Sequence, residues 1–206
     1  TGFFSQDKLA LLVDFLLEGQ QWMVRNATFD YSALGREIAR EYNYAGSPAA
    51  LALREACARL LLLSDVPRRR ELEALVDRLF GKGAPLTGNR HFYRSDFMVH
   101  QRPEFYVSVN MSSTRTVGTE IGNGENLAGY HLAEGVTFIM RSGNEYDGVF
   151  PVYDWRRLPG TTVEQRPKPA STTSWVTVRG NTEFVGGASD GMYGAAAMDL
   201  RSGGVS

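Results

Sequence analysis

This chain of 206 residues has one cysteine, three histidines, no long apolar run and a net charge of only −1. The single cysteine, Cys57, excludes an internal disulfide, and its place among alanines and leucines predicts a small buried residue. Positive and negative side chains are spread evenly, whereas a nucleic-acid-binding protein usually has a basic face. Apolar runs such as Leu60 to Leu63 are far too short to cross a membrane. Composition therefore predicts a globular protein with neither nucleic acid nor membrane as partner.

The first part of the chain has the apolar periodicity of α-helices. One stripe recurs at helical spacing: Leu9, Leu12, Val13, Leu16 and Leu17. Ser47-Pro48 is a typical helix start, a capping residue followed by proline at the first helical position. A third amphipathic helix is predicted from about Pro67 to Gly81. We interpret the leucines of these helices as core residues.

The pattern changes at Gly81 to Asn89, where three glycines and one proline within nine residues predict a boundary. The strands predicted beyond it are His91 to His100, Glu104 to Ser112, Val136 to Met140, Val149 to Tyr153, Trp175 to Val178 and Met192 to Met198. In the second strand, Phe105 and Val107 alternate with Tyr106 and Ser108, the period of a half-buried strand. Strands without intervening helices favour an antiparallel sandwich. We predict an α+β chain with a helical domain at 1–84 and a β domain at 85–206.

Two arginines in the helical part are candidates for an anion site. Arg36 and Arg40 are four residues apart, so on a helix both would project from one face and could hold a carboxylate or sulfate. The alternative is a solvated helix face on which they pair with Glu37 and Glu41. Spacing alone favours the solvated face.

The glycine-rich stretch that follows Glu120 is the densest group of polar side chains in the β part. Glu120 and Glu125 flank Asn123, and paired acids suggest acid–base chemistry, including glycoside hydrolysis. An ordinary polar loop is the alternative, and spacing alone favours it. Trp175 follows a Pro/Ser/Thr-rich loop and could stack on a sugar ring, while the three histidines lack metal-ligand spacing.

Several motifs taken in order resemble polysaccharide lyase family 8, which includes chondroitin AC, hyaluronate and xanthan lyases, with the chondroitin AC lyases as the nearest branch. They are Phe29-Asp30 with Gly35-Arg36 and Arg40; His100-Gln101-Arg102-Pro103; Glu120 with Gly122-Asn123 and Glu125-Asn126; Trp155 with Pro159-Gly160; and Phe184 to Gly194. The resemblance implies the last helices of an incomplete α/α toroid followed by the start of a large antiparallel β-sandwich. It also implies an exported protein, secreted or periplasmic.

The same resemblance implies cleavage of an acidic, uronate-containing polysaccharide by β-elimination. Arg36 matches an arginine that holds the oxygen of a catalytic tyrosine, and Glu120 matches a glutamate that orients the cationic groups. Arg40 and Asn123 match residues that line the cleft, and Trp175 matches an aromatic that stacks on a sugar. An arginine beside a tyrosine hydroxyl favours the phenolate that a base requires.

Departures from the family pattern limit what this chain can do alone. The catalytic histidine, tyrosine and carboxylate-binding asparagine of the family lie upstream of Thr1, so we expect a piece of a longer protein that is inactive without the rest of its own polypeptide. We predict no cofactor. A calcium site of the chondroitin AC branch would use Asp154, but Arg156 and Gln165 stand where further carboxylates are needed.

Three other interpretations stay open at the level of the sequence. A non-catalytic carbohydrate-binding module would keep the sandwich and Trp175 without the chemistry. A hydrolase would use Glu120 and Glu125. A lyase for another acidic glycan, such as xanthan, would share the motifs and differ in the loops that read the substrate.

Overall fold

The computed structural model describes residues 4–34, 48–121, 126, 128–162, 176–180 and 182–199. Its first helix continues through one wider π-helical turn and one tighter 3-10 turn into a short hairpin. In order these elements are α1 (Gln6–Asp14), the turns Phe15–Gly19 and Gln20–Met23, β1 (Val24–Arg25) and β2 (Thr28–Phe29), followed by α2 (Pro48–Leu61) and α3 (Arg69–Leu79). In the part of the chain that the structure describes, no helix has the length and apolar character of a membrane span.

The helices pack through the predicted leucine stripes. The buried side chains of this first core are Leu9, Val13, Leu16, Leu17, Phe29, Ala50, Leu53, Cys57, Leu60, Val66, Leu72, Leu75 and Leu79. Burial raises the pKa of the Cys57 thiol to about 11, so the thiol stays protonated and unreactive at neutral pH. The prediction that Cys57 is a buried core residue is confirmed. The interpretation of every helical leucine as core is wrong, because each helix buries only one face. Leu11 (70%), Leu51 (54%) and Leu62 (85%) are exposed, and Leu12 of the predicted stripe is 38% exposed.

The strands form antiparallel sheets. They are β3 (Gly88–Phe92), β4 (Phe97–Arg102), β5 (Phe105–Asn110), β6 (Val117–Ile121), β7 (Val136–Met140), β8 (Val176–Arg179), β9 (Val185–Ser189) and β10 (Gly194–Met198). The largest described sheet has the order β3-β4-β5-β7, while β6 pairs with β8 and β9 pairs with β10. The fold is thus helices followed by antiparallel sheets, as the α+β prediction required. The two domain boundaries remain a prediction.

Two of the predicted strands differ from the structure. His91 to His100 is a hairpin, because Asp96 adopts a left-handed backbone (φ 52°) in the turn between β3 and β4. Val149 to Tyr153 is wrong as a strand, since Phe150–Val152 is a single 3-10 turn. The prediction for β7 is confirmed at both ends.

A second core lies between the main sheet and the segment that follows α1. Its buried side chains are Trp22, Tyr31, Phe97, Val99, Tyr106, Leu132, Val136, Phe138, Met140, Phe150 and Leu158. Aromatic rings dominate this core. Tyr31 and Phe150 meet edge-on with their ring centroids 4.8 Å apart, and Phe138 and Tyr146 do so at 4.9 Å. Met23 and Leu34 pack against both cores, so the helical and β parts share side chains.

Arg25 fastens the β1–β2 hairpin to the main sheet. Its side chain is 4% exposed, and its guanidinium donates to the carbonyls of Arg141 (2.8 Å), Arg102 (3.1 Å) and Pro103 (2.7 Å). Gly143 lies directly below, with a positive φ of 96°, and a Cβ there would come within 2.5 Å of the Arg25 carbonyl oxygen. Only glycine therefore fits at this contact.

The turn beside this contact is closed by the carboxylate of Glu145. It accepts hydrogen bonds from the backbone N–H groups of Arg141 (2.7 Å), Ser142 (2.6 Å) and Gly143 (2.9 Å). Burial opposes the charged form, but the bonds from Ser142 and Arg141 outweigh it and lower the pKa of Glu145 to about 2. The charged carboxylate therefore stabilises the folded state.

We expect Glu145 to contribute to the acid sensitivity of the fold. Because its folded pKa lies below the ordinary value, its contribution is present above about pH 4.5 and is lost as the pH falls toward 2. The side chain is exposed, so solvent screening limits the effect to about 1 kcal/mol. Urea titrations at pH 5.5 and pH 3 should show that Glu145→Gln loses about 1 kcal/mol less than the unchanged chain between the two pH values. Glu73→Gln is the control, since Glu73 is held by a loose ion pair of 3.7 Å with Arg69; equal losses in all three proteins would contradict the assignment.

Candidate functional site

Of the five predicted site residues, the structure describes Glu120. It lies in β6, opposite Thr177 of β8, and its side chain is exposed. Arg36, Arg40, Asn123 and Trp175 lie outside the described residues. The described part of the site therefore consists of Glu120 and of the residues that fix the chain segments next to the other four.

The β6–β8 ribbon presents Glu120 on one face because strand side chains alternate. Thr119, the preceding residue, is 4% exposed and faces inward, and the pairing is irregular between Val117 and Thr119. Such an irregularity re-aims the side chains that follow it. Glu120 thus lies on the exposed face near the end of β6, next to the inward-facing Thr119.

Asn126 closes the loop that leaves this ribbon. Its amide nitrogen donates to the Thr119 hydroxyl (2.6 Å) and to the backbone carbonyl of Glu120 itself (2.8 Å). The residue is 1% exposed and has a positive φ of 57°, which asparagine tolerates better than other non-glycine residues. A Cβ on Gly129 would fall 1.7 Å from the Asn126 side-chain oxygen, so a glycine is required beside it. Asn126 therefore lies fixed against the end of β6.

The chain that enters β6 is fixed by the buried carboxylate of Asp96. It accepts from the hydroxyls of Ser113 (2.6 Å) and Thr116 (3.1 Å) and from the guanidinium of Arg115 (2.9 Å). Arg115 also donates to the carbonyl of Val185 at the start of β9. One carboxylate at the β3–β4 turn thus links the entrance of β6 to the β9–β10 hairpin.

The segment that leads toward Arg36 is anchored on β5. Asp30 is fully buried and accepts from the hydroxyls of Tyr106 (2.5 Å) and Ser32 (2.6 Å), and the side chain of Asn110 donates to the carbonyl of Ser32 (2.9 Å). Burial raises the pKa of Asp30, although its hydrogen bonds with Ser32 and Tyr106 act in the opposite direction. Burial and the neighbouring Asp30 raise the pKa of Tyr106 as well. This tyrosine therefore stays protonated and holds structure rather than acting as a base.

Asp30 and Asn126 belong to the sequence motifs, which predict no role for either, and no prediction from the sequence includes Arg25 or Asp96. A signal was present for Asn126, because an asparagine after Gly-Asn-Gly-Glu is a typical site of positive φ. No local pattern marks Arg25 or Asp96. Their partners are more than fifteen residues away in sequence, so only the fold reveals them.

The histidines and the candidate calcium ligand Asp154 have neighbouring protein side chains. His131 contacts Glu134 at 2.5 Å, and burial together with Arg102 lowers the pKa of His100. Asp154 faces Arg156 at 3.6 Å and Arg157 at 3.8 Å, so two cations occupy the surroundings that a calcium ion would need. Across the described ranges, no three His, Cys, Asp or Glu side chains are grouped to hold a metal ion. The donors near Asp154 do not fit a calcium site.

Comparison with known proteins adds relatives along nearly the whole chain. Chondroitinase-AC of Pedobacter heparinus is 31% identical over 202 residues, which are 95% of this chain and 28% of that protein. Hyaluronate lyase of Thermasporomyces composti is 36% identical over 118 residues, 55% of this chain and 15% of that protein. The chain thus spans less than a third of the length of these relatives.

Solved structures agree. A chondroitinase AC lyase superimposes with a TM-score of 0.80 at 29% identity, covering 97% of this chain and 30% of that one. The chondroitin AC lyase of Streptomyces coelicolor A3 gives 0.74 at 24% identity over 95% of this chain and 32% of that one, a likeness of fold. The family model described as "Polysaccharide lyase family 8, super-sandwich domain" matches residues 87–206, more than half of the chain. The chain belongs to polysaccharide lyase family 8.

Proposed function

We propose that the protein carrying this chain is a lyase that cleaves a uronate-containing glycosaminoglycan, of the chondroitin or hyaluronan type, by β-elimination. The observation that carries the proposal is the 31% identity to a chondroitinase over 95% of the chain, through both the helices and the strands. Export to the periplasm or the medium is part of the proposal, because a polymeric substrate is met outside the cytoplasm.

In this proposal the residues of the chain support a base supplied by another part of the protein. The base removes the proton at C5 of the uronate, and the carbanion that develops is delocalised into the neighbouring carboxyl group. Preorganised positive charge and hydrogen-bond donors lower the barrier for such a step. Arg36 would hold the oxygen of the tyrosine that acts as base, and Glu120 would orient the cations. Arg40, Asn123 and Trp175 would bind the sugars on either side.

The described geometry supports a shared cleft between helices and strands. Asp30 and Ser32 bind Tyr106 and Asn110 of β5, so the chain leaves toward Arg36 from the sheet itself. β5 leads on to β6, and Asn126 holds the carbonyl of Glu120. The link between β6 and the main sheet is Asp96 of the β3–β4 turn, which holds Ser113 and Thr116 just before β6. The segments that lead to Arg36 and to Glu120 are thus each held by side chains of the main sheet and its turns.

We further propose that residues 1–84 are the last helices of an α/α toroid and residues 85–206 the first part of a β-sandwich. The change from α3, which ends at Leu79, to β3, which begins at Gly88, supports this division. The β9–β10 hairpin consists largely of exposed glycine and alanine. Small side chains on an open hairpin suit a surface that the rest of the same polypeptide would cover.

Product analysis tests the proposed reaction. The whole protein, incubated with chondroitin or hyaluronan, should release oligosaccharides whose new end is an unsaturated uronate, detected as rising ultraviolet absorbance. Residues 1–206 alone should give no such rise. Saturated products would favour a hydrolase that uses Glu120 and Glu125, and binding without cleavage by the whole protein would favour a non-catalytic module. Cleavage of xanthan, without cleavage of chondroitin or hyaluronan, would show that the substrate is another acidic glycan.

A further inference from the structure

We propose that a pocket between α3, the β1–β2 hairpin and β4 binds one oxyanion group, a sulfate or a carboxylate. This pocket is built from residues other than those proposed for catalysis. It has a volume of about 40 Å³ and is lined by three cations, Arg25, Arg78 and Lys82, and by the amides of Gln21 and Gln101. A water needs roughly 10–15 Å³ of such space, so the pocket suits a group of a few atoms.

The lining of the pocket has an excess of positive charge. None of the residues that line the pocket is acidic. The charge of Arg25 is met by three carbonyl oxygens, and Glu145 and Glu104 act on it from outside the pocket. Arg78 and Lys82 form no ion pair among the described residues.

Arg78 is the more informative of these two cations. It is half-buried, and burial lowers the pKa of its guanidinium, which means that water solvates its charge poorly there. Its one described side-chain bond is to the Gln21 amide oxygen. A guanidinium directed into a pocket with a neutral partner keeps donors available for an incoming oxyanion, and its fork matches two oxygens of such a group.

A purely structural role for the two cations is the competing explanation. Both lie at the end of α3, where the helix dipole presents about half a negative charge and favours cations. Half a charge does not balance two full positive charges, however, and an arginine that serves the dipole could remain in solvent. The remaining positive charge, on the half-buried Arg78 and the exposed Lys82 at the rim, is what an oxyanion would neutralise.

Binding of inorganic sulfate to the 206-residue chain tests the proposal. Calorimetric titration with sodium sulfate, against sodium chloride at equal ionic strength, should show one site. Arg78→Gln and Lys82→Gln should each weaken sulfate binding about tenfold, as the loss of one charge-assisted bond implies. Arg70→Gln is the matched control, because Arg70 is an exposed arginine of the same helix outside the pocket; its affinity should stay within twofold. Because Lys82 is exposed, Lys82→Gln should fold, and it tests the proposal even if Arg78→Gln does not fold.

A glycan arm separates the two sources of the oxyanion. If the group belongs to a polysaccharide, a chondroitin sulfate tetrasaccharide should displace inorganic sulfate, and Lys82→Gln should weaken that displacement. If the pocket takes a free ion, sulfate binds and the tetrasaccharide does not compete. No sulfate binding beyond that of chloride, or an equal loss in Arg70→Gln, would overturn the proposal.

Discussion

Replacing Arg25 with methionine should lower the free energy of unfolding by about 3 kcal/mol or more. Methionine keeps the apolar stem of the side chain but leaves the carbonyls of Arg102, Pro103 and Arg141 without their donor. These three bonds are partly buried, and a hydrogen bond to a charged group contributes about 1.5–3 kcal/mol. Because these carbonyls lie in the β4–β5 turn and just after β7, the loss would loosen the hairpin from the sheet. Equilibrium unfolding in urea, followed by far-UV circular dichroism, measures it.

Two further variants make that measurement specific. Arg25→Lys keeps the charge but cannot reach three carbonyls at once, so most of the loss should remain. Arg59→Met removes an arginine whose side chain is 76% exposed and paired with Glu55, and should change stability by less than about 0.5 kcal/mol. A loss below 1 kcal/mol for Arg25→Met would show that water satisfies the three carbonyls and that Arg25 is not the fastening.

In the whole protein, Arg36→Ala should lower the rate of glycan cleavage by about 100- to 1,000-fold, the range seen when one preorganised donor is removed from a catalytic site. The reason is the proposed contact of Arg36 with the oxygen of the base, whose phenolate it would favour. Single-turnover absorbance at saturating substrate measures this step.

Arg40→Ala is the matched comparison, because Arg40 is proposed to bind substrate without touching the base. It should raise KM more than it lowers kcat. Both variants should keep the far-UV dichroism of the unchanged protein. Turnover of Arg36→Ala within a few-fold of normal would remove Arg36 from the proposed mechanism.

Periodicity predicted the helical core well and the strand faces poorly. Leu72, Leu75 and Leu79 are buried as their spacing implies, because a surface helix buries one apolar face. In β5 the alternation is real, but Tyr106 and Ser108 are the fully buried side chains and Phe105 and Val107 are less so. The alternation shows that the strand has two faces, but it does not show which face is buried. That depends on Asp30, a carboxylate distant in sequence, which covers the face of Tyr106.

Turns without glycine or proline were the other difficulty. The β3–β4 turn contains Tyr93, Arg94, Ser95 and Asp96, so His91 to His100 resembled one strand. Asp96 accepts its left-handed backbone because its carboxylate gains partners at Ser113 and Arg115. Those partners come from residues that only the fold brings near. Strand β9 was missed for a related reason, since Gly and Ala carry no β signal.

The candidate site depended on the resemblance more than on local pattern. Spacing alone favoured a solvated face for Arg36 and Arg40, and an ordinary loop for Glu120. What the structure adds is the support around them, namely Asn126 on the carbonyl of Glu120 and Asp30 on Tyr106. Such support is made of buried hydrogen bonds between distant segments, which a single sequence does not display.

Met23 and Leu34 pack against both apolar cores, and this double membership bears on how the chain folds. Neither core is complete without these side chains, so losing one would uncover apolar surface of the other. The helices and the strands should accordingly melt together in one cooperative transition. Severing the backbone between α3 and β3 would yield two fragments that each need the other to fold.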